Sequence, residues 1–508
     1  MLELIASHPI LTAVLAIVIG LVLLSQRTTK STLPGPKPWP IIGSLPLVYP
    51  YMRHEQGWRM GEILNATYGN IFEIRIFSRR EVVVCDADQA KRILAGTAAG
   101  DLSKAEFCRG SLLQRMHKDF AHYGLFVIPS GPDWKKHRKF LQPAFGPHHL
   151  RLSTEVAVEV TRSLTDLWDG LLKNALANGK KSITVNIHEA FSNLTLDVIG
   201  KVAFSYNFKS IELMNDAVAH KDMFLINEVF ATVIKRFAVP PFLWSYFGLG
   251  EKDAQKSIKY INTILRDVIE KKRARMASPD AEEKSKWNLD LLDRLLDASK
   301  GGGEDFTDQE IMDEVFAFFL AGHETTANAL TNVFWELSRH PDIMANIEQE
   351  INDVLGPDGE PNHENLASLK YVEQVVKETL RLHPVVSGIP REANKNVEIM
   401  GHHVPAGATV FVAIRQIHRD TRYWDRPLEF DPSRWDNGFN PRAGTYLPFG
   451  DGPMNCIGQK IAMIESKVAV IQLVRKYKFT LVQEQSFRIR SSITTGFKDG
   501  LFLEVSHK

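Results

Sequence analysis

The chain has 508 residues, 61 Lys+Arg against 60 Asp+Glu, and 44% hydrophobic residues. That balance excludes wholesale disorder, a collagen-like fibre and a polytopic membrane protein, and a net charge of +1 argues against nucleic acid as a partner, because phosphate binding needs a basic excess. Cys85, Cys108 and Cys456 stand far apart without a C-x-x-C, so neither a disulfide framework nor zinc-ribbon spacing is available and a reducing compartment fits.

The chain opens on an apolar run, Ile10–Leu24. As a helix it spans about 22 Å, or about 31 Å with Leu4–Pro9 included, against a hydrocarbon core of about 30 Å. Glu3 precedes the run, while Arg27, Lys30 and Lys37 follow it. A signal peptide would want the basic residues first, so residues 1–32 read as an uncleaved anchor and flank with the body on the cytosolic side. A cleaved signal peptide and a peripheral helix are the alternatives. Residues 33–43 hold Leu33-Pro-Gly-Pro-Lys-Pro-Trp-Pro40, a stiff hinge that can neither continue a helix nor donate to a sheet.

Ile71–Ile76 and Val82–Cys85, separated by Ser78-Arg79-Arg80, predict a β-hairpin. Helical periodicity covers roughly 149–175, 187–203, 251–275, 307–340 and 341–355. The Lys271–Lys286 charge run and Gly301-Gly302-Gly303 read as surface connections. Past Asn394 short strands and loops follow, then one helix from about Cys456 to Tyr477. Length alone suggests about three domains.

Four constellations carry chemistry. The first is Phe449-Gly-Asp-Gly-Pro-Met-Asn-Cys456-Ile-Gly458. Glycines allow close backbone approach to a flat ligand, and loop N–H groups at a helix start favour thiolate, which ligates a metal or acts as a nucleophile. The second is Ala321-Gly-His-Glu-Thr-Thr326 in an apolar helix. A zincin H-E-x-x-H is excluded, because position 327 is Ala327. The third is Glu378-Thr-Leu-Arg381, a pair on one helix face. The fourth is Trp134-Lys-Lys-His-Arg138.

In their order along the chain the four motifs resemble the cytochrome P-450 superfamily, the haem-thiolate monooxygenases, in its microsomal eukaryotic form. The resemblance covers essentially the whole chain. It implies a mainly α fold with small β-sheets and a single large domain over 44–508. Haem b (iron protoporphyrin IX) is the implied cofactor, with Cys456 as the axial iron ligand and Phe449 and Gly450 in its loop. Trp134, Arg138 and Arg391 would bind the propionates, since guanidinium suits carboxylate. Glu324 would be the proton-relay acid and Thr325 the hydroxyl that organises the delivered water, with Gly322 leaving room for O2. Glu378, Arg381 and Arg434 would form a structural triad holding the haem loop. A pocket for a lipophilic small molecule is expected from Phe316, Phe319, Ala321, Val385, Val386, Ile389 and Ile493, with the segment Asp101–Val127.

One departure from the family pattern stands two residues before the cysteine. Met454 occupies a position usually held by Arg or His; either another cation, with Arg442 the nearby candidate, supplies the missing charge, or Trp134, Arg138 and Arg391 hold the propionate, and Met454→Arg is expected to tighten haem retention. Basic residues on two helices, Lys135, Lys136, Arg138 and Lys139, then Lys460, Lys467, Arg475 and Lys476, suggest a docking face for an acidic flavoprotein. The resemblance implies NADPH–cytochrome P-450 reductase as that donor, with NADPH acting indirectly, cytochrome b5 as a second donor, and location on the endoplasmic reticulum membrane. The rivals are a haem-thiolate isomerase or dehydratase, against which Glu324-Thr325 argues, and a non-catalytic haem sensor or carrier.

Overall fold

The structure is a computed structural model that describes residues 31–97, 100–103, 105–117, 119–214, 236, 253–278, 289–300 and 306–508. The expected anchor and Gly301–Gly303 lie outside the described residues. Among the described residues no helix is long and apolar enough to cross a membrane.

In chain order the helices are α1 Leu45–Arg53, α2 Gly57–Tyr68, α3 Ala87–Ala95, α4 Leu112–Met116, α5 Pro132–Leu141, α6 Pro147–Ala177, α7 Ile187–Phe204, α8 Asp253–Ala277, α9 Leu291–Lys300, α10 Asp308–Leu337, α11 Pro341–Leu355, α12 Lys370–Leu382, α13 Ile414–His418 and α14 Gln459–Lys476. The strands that matter for the site are β1 Ile71–Ile76, β2 Arg79–Val84, β3 Phe107–Cys108, β4 Ile183–Asn186, β5 Ile389–Ala393, β6 Val397–Ile399, β7 His402–Val404, β8 Thr409–Val412, β9 Tyr477–Leu481, β10 Ile489–Ser491, β11 Thr495–Phe497 and β12 Phe502–His507. The architecture is mainly helical with small separate sheets, the largest ordered β1-β2-β8-β5-β3. The hairpin turn is tighter than expected, with Ile76 paired to Arg79, because Phe77 adopts positive φ.

The central element is α10. A capping box starts it: the Glu310 N–H donates to Thr307 Oγ1, and the Thr307 N–H donates to the Glu310 carboxylate. Beyond that cap Val315–Leu320 is buried on all sides, as an all-round apolar stretch demands. It packs along α7 and meets α8, α12 and α14. Aromatic seams such as Phe191 on Phe334, 5.0 Å between centroids, close the main core.

Two expectations change here. The C-terminal helix begins at Gln459 with Gly458 as its cap, so Cys456 sits in the loop before it. The charge run is not all connection: residues 271–277 continue α8, and Lys272 is buried, its Nζ 2.8 Å from Asp293 and 2.5 Å from Asp290. A lysine stem buries well when its head finds carboxylates.

Candidate active site

The loop that carries the cysteine is built from backbone. The Gly450 N–H donates to the Leu447 carbonyl (3.0 Å), the Asn455 N–H to the Gly452 carbonyl (3.2 Å) and the Cys456 N–H to the Phe449 carbonyl (2.9 Å). Gly450 and Gly452 both have φ of +72°, a conformation that side chains rarely adopt. A Cβ on Gly452 would also lie 2.3 Å from the Leu94 carbonyl oxygen. Side chains then fix the loop to the body. Arg138 of α5 donates Nη1 to the Asn455 carbonyl and Nη2 to Asn455 Oδ1, both at 3.0 Å. Beside it His137 Nδ1 lies 2.6 Å from the Glu314 carboxylate, tying α5 to α10.

Cys456 is an accessible residue, although the surrounding protein desolvates its thiol. Burial pushes its pKa up, and this outweighs the Gly458 and Gln459 N–H groups and Arg138, which pull it down. The sequence-based expectation of a thiolate therefore fails for the free side chain: desolvation of the charged form dominates. A coordinating metal displaces the proton outright.

Three guanidiniums gather near this loop. Arg391 on β5 is buried, its Nε donating to Thr97 Oγ1 (3.0 Å). Arg109, just past β3, donates Nη1 to the Leu125 carbonyl at 2.8 Å, and no described residue accepts from its buried Nε. Burial together with repulsion from Arg391 and Arg138 brings the Arg109 pKa down to about 9. None of the three has a carboxylate partner among the described residues. Uncompensated cations at this depth are costly and point to an anionic ligand. The sequence reading missed Arg109, although it lies within the segment expected to line the pocket.

Arg109 also explains the departure at Met454. Arg109 N–H donates to Ser130 Oγ (2.8 Å), and that hydroxyl faces the Met454 sulfur at 3.7 Å. Met454 is buried in the cluster that holds Leu320 and Trp134. The expected stand-in, Arg442, is instead exposed and bridges Asp88 at 2.6 Å. A fourth guanidinium at 454 would be repelled by the three present, so Met454→Arg no longer follows as a tightening change. Arg109→Leu is expected to speed haem transfer to apo-myoglobin severalfold over wild type; an unchanged transfer rate would remove Arg109 from the binding set.

An iron porphyrin fits these residues: an accessible cysteine in a backbone-built loop for the iron, and three guanidiniums without a carboxylate partner among the described residues for two carboxylates. The fit accommodates Cys456, Arg138, Arg391 and Arg109, with Trp134 buried beside them.

On α10, Ala321 is exposed in a mostly buried stretch, and Thr325 Oγ1 donates to its carbonyl (2.7 Å). They are i and i+4, one face. At Gly322 an added Cβ would lie 2.6 Å from Ile199 Cδ1, so the absence of a side chain lets α7 pack closely there. Phe316 and Phe319 are also core residues. Phe316 has no accessible surface and its ring sits 5.3 Å from Phe120, while Phe319 meets Phe208 at 5.8 Å. Val385 is buried too. Ala321, Val386, Ile389 and Ile493 keep accessible surface. Glu324 is buried, its Oε1 accepting from Asn328, Arg490 and Thr494.

The triad assembles. Arg381 donates to both Glu378 oxygens (2.9 and 2.8 Å), and Arg434 Nε reaches Oε1 at 3.1 Å. The Trp435 indole N–H donates to Oε2 at 3.1 Å. Arg381 further donates to the carbonyls of His418, Pro427 and Glu429. His418 was not singled out from sequence. Buried beside Arg381, it titrates near 3, a neutral imidazole: Nδ1 faces the Arg381 carbonyl and Nε2 accepts from the Leu447 N–H at 2.7 Å. A continuous path thus runs from the triad to the cysteine loop.

The basic face shrinks. Lys467 is buried, its Nζ donating to the Leu366 carbonyl and 3.2 Å from Glu373. Arg475 is committed to the carbonyls of Gly359 and Gly356, and Lys476 to Asp169. Lys136 lies over the Phe306 ring. Lys135, Lys139 and Lys460 remain exposed; the first two line a groove of about 430 Å³ with Trp134 and Arg138.

The family model "Cytochrome P450" matches residues 33–497. Similar curated proteins include Cytochrome P450 3A9 of Rattus norvegicus, 27% identical over 94% of this chain and 93% of its own length. Cytochrome P450 4d2 of Drosophila melanogaster is 30% identical over 89% of each. Protein LUTEIN DEFICIENT 5, chloroplastic, of Arabidopsis thaliana is 28% identical over 87% of this chain and 73% of its own length.

Proposed function

The chain belongs to the cytochrome P450 family, a haem-dependent monooxygenase, and from that membership we propose a microsomal enzyme that hydroxylates or epoxidises a lipophilic small molecule. Its electrons come from NADPH through a membrane reductase. Residues 1–32 anchor it, 33–43 form the hinge, and 44–508 form the catalytic domain on the cytosolic side of the endoplasmic reticulum. The observation that carries the site assignment is the accessible Cys456 in a backbone-locked loop beside three guanidiniums without a carboxylate partner among the described residues.

When bound, the haem supplies dioxygen activation at its iron. Cys456 would be the iron's protein ligand, presented by the backbone-built loop. Arg138, Arg391 and Arg109 would hold the propionates, with Trp134 beside Arg138. Thr325 orders water on the open face of α10, and Glu324 passes protons to it. Ala321, Val386, Ile389 and Ile493 give the substrate an apolar wall that excludes bulk water. The acid–alcohol pair favours monooxygenation over isomerase chemistry, which needs no proton delivery.

The test is paired. The reduced carbon-monoxide complex should show a thiolate-type Soret band, and a lipophilic substrate should stimulate NADPH consumption in the presence of reductase. A thiolate band without substrate-dependent NADPH consumption would favour the sensor or carrier reading.

The reductase is expected to dock where Lys135, Lys139 and Lys460 stay exposed, since a basic patch steers an acidic partner. Charge reversal at Lys135 and Lys139 should slow reductase-supported turnover and leave peroxide-supported turnover unchanged. Equal loss in both assays would move the docking site elsewhere.

A further inference from the structure

Glu324 is 2% exposed in the middle of α10, yet it is not left to find its own orientation. Three donors converge on one of its oxygens. Asn328 Nδ2, one turn along the same helix, lies 2.9 Å from Oε1. Arg490 Nη2 lies 3.0 Å from it and Thr494 Oγ1 3.3 Å. Among the described side chains none donates to Oε2. Arg490 and Thr494 are 166 and 170 residues away in sequence, on the β10–β11 hairpin whose turn carries Ile493.

We propose that Arg490 and Thr494 are positioning residues for proton delivery: they pin Glu324 through Oε1, so that Oε2 alone is free to take and release a proton. The proposal rests on the reading of Glu324 as the relay acid. Exchanging the two oxygens would break all three bonds at once, so the proton is handed over predominantly from one place. The Arg490 charge also keeps the buried acid ready to recharge after each transfer. Burial alone would hold such a carboxyl protonated. Against that burial stand His188 from α7, Arg490 from β10 and His323 beside it on α10, and together they hold the Glu324 pKa below its ordinary value. His188 and His323 are themselves pushed toward neutrality by burial, His323 to about 4, so Arg490 is the permanent charge of the set.

The sign follows. Removing the Arg490 charge leaves burial less opposed, so Glu324 should bind its proton up to a higher pH. Its protonation can be followed without turnover, as the infrared carboxyl band that disappears in Glu324→Gln. In Arg490→Gln the midpoint of that band should rise by about one pH unit or more, the usual size of one close opposite charge. Arg490→Lys, which restores the charge, should return it toward wild type. Thr494→Val, which removes a neutral donor, should move it less.

Turnover supplies the second reading, with 7-ethoxycoumarin as the probe if it shifts the spin state, and lauric acid otherwise. In Arg490→Gln the product formed per NADPH should fall severalfold, less than the ~10²–10⁴-fold of losing a proton donor outright because Glu324 itself remains, with peroxide-supported turnover and probe affinity unchanged. Arg490→Lys should recover most of it. An unmoved band midpoint in Arg490→Gln, or equal losses with NADPH and with peroxide, would overturn the positioning role. Should Arg490→Gln not fold, Thr494→Val carries the test: a band midpoint unmoved from wild type, or equal losses with NADPH and with peroxide, overturns the positioning role. Failure of the relay reading itself looks different: Glu324→Gln would then retain wild-type product per NADPH.

Discussion

Cys456→Ala is expected to abolish the thiolate-type carbon-monoxide band and substrate-dependent NADPH consumption while leaving the fold in place. The separation is expected because the loop does not depend on the sulfur. Its turns are closed by the Gly450, Asn455 and Cys456 N–H groups, and its attachment to α5 is made by Asn455. Alanine keeps every one of those bonds. What it removes is the thiol that, as thiolate, gives the iron its characteristic ligand. Far-ultraviolet circular dichroism should therefore match wild type, while any haem that remains should be held by the guanidiniums alone and transfer rapidly to apo-myoglobin. A thiolate-type band surviving in the alanine variant would show that the ligand is another residue. Collapse of the fold would show that the loop needs the metal to form.

The four motifs that identify the site were legible because each is a local pattern: a cysteine among glycines, E-x-x-R on one helix face, W-x-x-x-R, and the acid–alcohol pair. The partners that give those motifs their strength were not. Arg109, His418 and Arg490 act across long sequence separations, and nothing within a window around each marks it. Arg109 is one arginine in a pocket segment; only its closeness to Arg138 and Arg391 gives it meaning. The basic patch failed for a different reason. Sequence counts charges, but α14 is buried on most of its surface, and Lys467 and Arg475 reach backbone carbonyls instead of solvent. The secondary structure was read well where helices were long, as in α6, α7, α8 and α10. It was missed where they were short, as in α1, which contains Pro46 and Pro50.

Glu378→Ala is the change expected to cost most in stability. Glu378 and Arg381 are both fully buried. Removing the carboxylate leaves the Arg381 charge, the Arg434 Nε–H, the Trp435 indole N–H and the Asp431 N–H without their acceptor at once. Breaking a buried pair on one side typically costs about 3–5 kcal/mol, because the surviving charge stays desolvated. The damage should not remain local. Arg381 organises the carbonyls of His418, Pro427 and Glu429, and His418 holds Leu447, two residues before Phe449. The temperature of haem release should therefore drop steeply, well beyond the change in Arg434→Leu, whose guanidinium also reaches the partly exposed carbonyls of Asp425 and Arg426. The double variant Glu378→Leu/Arg381→Met separates two roles. An apolar pair of similar volume removes the buried charge, so the helical core should recover much of its thermal stability. It cannot restore the bonds to the three carbonyls, so haem release should stay early. Recovery of both together would mean that the triad stabilises the fold without holding the cysteine loop in register.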